Sequence, residues 1–335
     1  MFISADADVI LKLTKYKYPD FDKGCKMERE IIKIGDTPLS FSIYSVESSP
    51  THKNSSGIVE IIFCLKGSVR FGYAYEDFTL KAGDYIAVDR DAYFLYKGRD
   101  NVCVSFYLDM MHYEKKYPYV KHALYVCEGT SETDVPDYPR PSHIKLKGLM
   151  IAALKSALEE NEPNQIQNIA DKMADLFVNN FDIVFYHYGS EDMPAKALER
   201  SRFITEYLQT HLHEKISMSS LAKEMGVTEG YLSEFMRKTS VGFRGMLGYI
   251  RANESEEYLL NTDMTIMEIS EACGFSDVKY YYSAFRKWYK CTPKQFRDRY
   301  GEITDADISY LPLDSIEELV NELMKNHFME TYAGK

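Results

Sequence analysis

A chain of 335 residues with 45% hydrophobic and 27% charged residues is a globular protein with room for more than one core, and its composition excludes a disordered chain. A formal net charge of −11 excludes a surface that clings to nucleic acid everywhere, so such a contact has to be confined to one segment. The opening "MFISADADVILKL" has no basic region and no long apolar core, and no run approaches the ~18 apolar residues of a membrane span, so the expected location is cytoplasmic, with no membrane partner.

From about residue 27 to 108 the pattern is short and β-like, in "EIIFCLKGSVRFGYAY", "DFTLKAGDYIAVD" and "VCVSFYLD", with Gly and Asp as turn signals. Many short strands at this spacing predict a barrel or sandwich. The six cysteines, at 25, 64, 103, 127, 273 and 291, lack CxxC or Cys/His spacing and read as buried thiols. Between about 143 and 186 the period changes to that of helices. Leu146, Leu149, Met150, Leu154, Ala157 and Leu158 share one face, Ile166, Ile169, Ala170, Met173, Ala174 and Phe177 another, and Pro163 separates them. This is a helical hairpin whose apolar stripes pack on the barrel or form a dimer interface.

After a linker at 189–196, the chain repeats itself with a period of about 48 residues: "LAKEMGV" (221–227) matches "ISEACGF" (269–275). Each copy continues with a Thr or Ser, an aromatic and a cationic pair: Thr228, Tyr231, Arg237 and Lys238, then Ser276, Tyr280, Arg286 and Lys287. A short helix, a Gly turn and a second helix make the helix-turn-helix pattern, with Leu221, Val227, Ile269 and Phe275 as the apolar wedge. "TIME" (265–268) and "TPKQ" (292–295) are capping boxes. Tyr281 belongs to the core with Phe285, whereas Tyr280 and Tyr282 reach solvent or DNA. Charge agrees: residues 197–300 carry about 15 Lys/Arg against about 14 Asp/Glu, which leaves roughly −12 for the rest of the chain. Beyond them "DSIEELVNELMKNHF" predicts an amphipathic helix from about Asp314, with either the DNA-binding part or another protein as its partner.

Residues 197–300 resemble the DNA-binding region of the AraC/XylS family of transcription regulators, through "ISMSSLAKEMGVTEGYLSEFMRK" and "TDMTIMEISEACGFSDVKYYYSAFRKWYKCTPKQFR". The resemblance implies two helix-turn-helix units joined by a linker helix, whose recognition helices enter successive major grooves of double-stranded DNA about 34 Å apart. Carried over by position, Gly230, Ser233, Glu234, Lys279, Tyr282 and Ser283 face bases, while Thr228, Tyr231, Arg237, Lys238, Ser276, Tyr280, Arg286 and Lys287 lie near the phosphates. The family's usual arginines are replaced by Glu234 and Ser283, which removes bidentate reading of guanine there. Glu234 either accepts from cytosine N4 or stands as a solvated acid.

The N-terminal part is similar to the family's cupin-like sensory barrel, with Gly67 and Gly83 at its turns. Metal-binding cupins need a His-x-His pair, a Glu and a later His, but this chain has His52 alone, Glu60, and Phe94 at the later position. No metal, no cofactor and no catalytic residue is therefore expected. Tyr44, His52, Arg70, Tyr73, Phe94 and Tyr96 are the candidate effector-lining residues, and an inward Arg70 would favour an anionic or polyhydroxy ligand.

The expected fold class is α+β: a cupin-like sensor (1–142), a dimerising helical hairpin (143–188), the double helix-turn-helix domain (197–300) and a C-terminal extension (301–335). The expected function is a non-enzymatic, small-molecule-responsive transcription regulator, homodimeric and, by resemblance, in contact with RNA polymerase. A regulator gated by a protein partner and a cupin enzyme fused to a DNA-binding module are the alternatives.

Overall fold

The computed structural model describes residues 11–16, 29–54, 57–73, 76–133, 138–159, 163–183, 194–301 and 306–333. Among the described residues, nine strands form one antiparallel sheet: β1 (Leu11–Tyr16), β2 (Arg29–Ile34), β3 (Leu39–Ser48), β4 (Ile58–Tyr73), β5 (Glu76–Lys81), β6 (Tyr85–Val88), β7 (Tyr93–Asp109), β8 (Cys127–Gly129) and β9 (Asp307–Tyr310). The pairing path is β1-β2-β3-β7-β4-β6-β8, with β5 added on β4 and β9 on β3, and its two ends do not pair with each other.

The long strands β4 and β7 shift register between Cys64 and Arg70, so each bends and serves two neighbourhoods. Gly67, expected at a turn between strands, lies inside β4 at this bend. Its φ is +68°, and a Cβ there would stand 2.2 Å from the Asp100 carbonyl oxygen, so only glycine fits. Gly83 does occupy a turn, between β5 and β6.

Alternation along the strands divides the sheet into two apolar faces. Val59, Ile61 and Phe63 of β4, with Val104, Phe106 and Leu108 of β7, point to the helical layer, while Ile62 and Cys64 point to the opposite face with Tyr44, Val46 and Phe71. The helical layer holds α1 (Pro141–Leu158) and α2 (Pro163–Asn180). Leu146, Met150, Leu154, Ile166, Met173 and Phe177 are all fully buried there. The predicted stripes are thus covered within the chain.

The C-terminal helical part comprises α3 (Ala195–Thr210), α4 (Met218–Glu224), α5 (Glu229–Thr239), α6 (Phe243–Asn261), α7 (Ile266–Ala272), α8 (Val278–Tyr289) and α9 (Pro293–Gly301). Most of the 189–196 linker lies outside the described residues. Helix α6 serves two cores. Its first half packs Met246, Leu247 and Ile250 with Leu221, Leu232 and Met236 of the first unit, and its second half packs Ala252 and Leu259 with Ile269, Tyr281, Phe285 and Phe296 of the second.

The C-terminal extension turns back onto the sheet. Strand β9 pairs Tyr310 with Tyr44, and Ile316 just before α10 (Glu317–Ala333), with Val320 and Leu323 in it, is buried in the core that holds α1. The amphipathic helix was expected, though it starts three residues after Asp314; β9 was not.

Candidate nucleic-acid interface

Both units end their first helix at a glycine in the left-handed region, Gly226 at φ +63° and Gly274 at φ +78°. The second helix starts from a side-chain cap in each case, but the caps differ. Thr228 accepts from the Tyr231 amide in α5, whereas in α8 the cap is Asp277, accepting from the Lys279 amide, and not Ser276. From its Ser to its tyrosine the second copy is one residue longer than the first, and that residue is the cap, Asp277. The predicted boxes form as well: Thr265 with Glu268, and Thr292 with Gln295.

These helices bury one face and present the other. On α5, Leu232 and Met236 are buried while Gly230, Tyr231, Ser233, Glu234, Arg237 and Lys238 are exposed. On α8, Tyr281, Phe285 and Tyr289 are buried while Lys279, Tyr280, Ser283, Arg286 and Lys287 are exposed and Tyr282 is half-buried. The three consecutive tyrosines thus divide: Tyr281 donates to Ser255 Oγ of α6 at 3.0 Å, and Tyr280 is 67% exposed. Thr228 and Ser276 are also exposed, one on each interhelical turn.

The two outward faces differ in charge. In α5, Glu234 accepts from Arg237 at 2.9 and 2.8 Å and lies 3.1 Å from Lys238 Nζ, so one carboxylate occupies both cations. Hydrogen bonds from Arg237 and then Lys238 pull its pKa down to about 2. The acid is therefore solvated and already engaged. In α8 no acid does this: Arg286 lies 6.0 Å from the Tyr282 ring and Lys287 lies 4.8 Å from the Trp288 ring, and neither is in an ion pair among the described residues. Glu234→Gln is expected to tighten binding to random-sequence DNA several-fold and steepen its salt dependence, since it frees two cations for phosphates. A titration of affinity against salt checks this.

Residues 221–299 match the family described as "Helix-turn-helix domain". The C-terminal region thus carries a helix-turn-helix domain of the AraC type. It is 25% identical over 300 residues to an uncharacterised HTH-type transcriptional regulator of Staphylococcus aureus (strain MSSA476), a match covering 85% of this chain and 38% of that protein. This chain thus spans well under half the length of such curated relatives. It is 28% identical over 98 residues to the xylose operon regulatory protein of Escherichia coli (strain K12), 29% of this chain and 25% of that one. Among solved structures, the C-terminal domain of the two-component response regulator yesN from Fusobacterium nucleatum is 30% identical, covering 30% of this chain and 98% of that chain with a TM-score of 0.28. ToxT from Vibrio cholerae is 10% identical, covering 79% and 99% with a TM-score of 0.41.

The AraC/XylS resemblance also named six effector residues, and the structure separates them. Tyr44 is buried in the sheet, its hydroxyl 2.9 Å from Ser105 Oγ, and His52 Nε2 stands 3.5 Å from Glu60 Oε2. Tyr73 is half-buried between the sheet core and the second unit. Arg70 points away from Glu60, 3.5 Å from Thr79 Oγ1 and over the Tyr96 ring, and Tyr96 donates to Asp77 at 2.9 Å. Phe94 is buried against Tyr300 of α9, with ring centroids 5.3 Å apart.

A different group converges on fully buried Glu60. Arg29 Nη1 is 3.5 Å from Glu60 Oε1 and donates to the Tyr107 hydroxyl at 2.7 Å, and Tyr44, Tyr93 and Ser105 complete the surroundings. Burial alone would raise the Glu60 carboxyl, but Arg29 and His52 hold it below its ordinary value. Burial and then Arg29 bring His52 down to about 4, so it is neutral at pH 7. Sequence reading weighed Glu60 only as a metal ligand and missed Arg29; the available signal was an acid inside the apolar run 58–65 of β4, while β2, with Glu30 and Lys33 beside Arg29, offered none.

Proposed function

We propose that this protein is a sequence-specific transcription regulator in which a cupin-like N-terminal sheet senses a small molecule and two recognition helices read successive major grooves. The observation that supports it best is the pair of exposed helix faces, α5 and α8, carried on one shared helix, α6. Within this reading Gly230 and Ser233, with Lys279, Tyr282 and Ser283, meet base edges. Arg286 and Lys287 meet phosphates, and the Arg29–Glu60–His52 group orients a small polar ligand. Homodimerisation through α1 and α2, and contact with RNA polymerase, follow from family resemblance. Because the sheet and α10 cover much of α1, a dimer contact would use the outer surface that remains.

The test is recovery of genomic fragments by the full chain at low ionic strength, followed by competition between a recovered site and random DNA. Lys279→Ala is expected to narrow the affinity ratio between them by roughly tenfold, the size of one lost base contact. An unchanged ratio would place Lys279 among the phosphate contacts. Recovery of no fragment would end the reading.

A regulator gated by a protein partner is the second reading, favoured by a sheet interior packed with its own side chains, Ile62, Cys64, Phe71 and Leu80 among them. Thermal-shift screening against polar metabolites separates the two. A rise in Tm abolished by Glu60→Gln supports a small effector, and a panel without effect favours a protein.

A further inference from the structure

The sheet meets the DNA-binding part along a seam that buries charge. Glu256 sits in the middle of α6 at 0% exposure. Its Oε2 accepts from Lys53 Nζ at 2.8 Å and from the Ala92 amide at 3.0 Å. Its Oε1 is buried near the Tyr289 hydroxyl without a well-formed hydrogen bond. Beside it, Asp91 accepts from Asn253 Nδ2 of α6 at 2.7 Å, and Asp89 lies behind with Arg90 at 3.9 Å.

Three acids, Asp89, Asp91 and Glu256, thus face two cations, Lys53 and Arg90. The other titratable groups packed around them are the phenols of Tyr73, Tyr125, Tyr249, Tyr289 and Tyr300, which burial keeps protonated, and, across the adjoining cleft, Glu254, Lys121 beside Glu114 at 3.8 Å, and His122 at 3.6 Å from Glu206. A closed seam therefore holds one uncompensated negative charge among a buried Glu256, a buried Asp89 and a half-buried Asp91, which is costly.

The seam also fixes geometry. Thr51 donates to the Tyr300 carbonyl at 2.8 Å and Arg299 pairs with Asp77 at 3.2 Å, which ties the second unit to the sheet. Arg202 of α3 donates to the Val178 carbonyl at 2.6 Å, which ties the first unit to the end of α2. The sensor side thus braces both units, and the separation of two recognition helices decides which half-site spacing they fit.

We propose that Asp91, Glu256 and Lys53 form a proton-operated latch: uptake of one proton closes the seam and its release loosens it, so that pH sets how rigidly the two recognition helices are held. Burial, and after it the neighbouring Glu256, push Asp91 up to about 7, and burial pushes Asp89 up to about 6. In an open seam Asp91 returns to the ordinary aspartate value of about 4. The closed form therefore binds the proton more tightly. Closure is favoured below neutrality, and the advantage is lost as pH rises through about 7. Between pH 8 and pH 6 the closing equilibrium shifts by about tenfold. The inference stands whether or not the sheet takes a small molecule.

Amide hydrogen exchange of the full chain, corrected for intrinsic rates, tests it. Segments 89–95 and 250–260 are expected to gain about tenfold protection from pH 8 to pH 6 relative to the β4 core. Asp91→Asn, which keeps an acceptor for Asn253, is expected to be as protected at pH 8 as the wild type is at pH 6. Glu256→Gln removes the charge pair from the other side and serves if the first variant does not fold. Equal seam protection of the wild type at both pH values, or a folded variant that retains the full pH dependence, overturns the latch.

Discussion

Replacing Arg286 and Lys287 together with alanine is expected to lower affinity for DNA of any sequence by about a hundredfold near physiological salt and to flatten the log-log salt dependence by about 1.8. Both side chains are exposed in the last turn of α8, on the face opposite the buried Tyr281 and Phe285. They are free to meet phosphates, and each phosphate they neutralise releases a counterion. The matching change in α5, Arg237 and Lys238 to alanine, is expected to cost tenfold or less. Glu234 already holds that pair, so DNA must first displace a carboxylate from it. Fluorescence anisotropy across a range of salt concentrations measures both. Equal losses from the two double mutants would mean that Glu234 swings clear on binding and that the two helices grip alike.

Gly274→Ala is expected to destabilise the protein by about 3 kcal/mol, against about 1 kcal/mol for Gly226→Ala. The two glycines stand at equivalent places of the repeat and both have positive φ, so each substitution incurs the left-handed strain of an L-residue. Their surroundings differ. A Cβ at Gly274 would lie 2.3 Å from the Leu212 carbonyl oxygen and 2.9 Å from the His213 Cα, both backbone atoms that cannot swing aside, whereas a Cβ at Gly226 meets nothing within 4 Å. Leu212 and His213 follow α3, and the latter's ring lies 2.7 Å from the Ala272 carbonyl. The second unit's turn is therefore packed against the first unit, and alanine there pushes the two apart. Chemical denaturation of the two variants checks the difference; equal midpoints would mean that the segment after α3 yields.

The helix-turn-helix repeat, its caps and its wedge were legible because each is a local signal. A Thr three residues before a Glu forms its box whatever surrounds it, and a 3.6-residue apolar period names the buried face of a helix without reference to its partner. Tyr281 and Tyr280 were separated on that ground alone. The sensor side was less legible. Alternation in β4 announces two faces but not which strand lies opposite, so Arg29, Glu60 and His52 could not be brought together from spacing. The six proposed lining residues were chosen by residue type, and Phe94 and Tyr96 shared in that choice although they point at the second unit and at Asp77. Strand β9 was missed because four residues, "DISY", form a strand only when β3 offers an unpaired edge.

Local chemistry alone, then, was enough to specify two reading units of one design and to set their outward residues, because backbone turns and helix periodicity are decided within a dozen positions. The long-range packing settled how those units are held. Lys53 meets Glu256 across 203 positions and Thr51 meets Tyr300 across 249, separations over which no propensity acts. An acid in a linker helix reads as solvated until a sheet loop closes over it; the loss of water, not the residue itself, makes Glu256 a buried charge and lifts Asp91 toward neutrality.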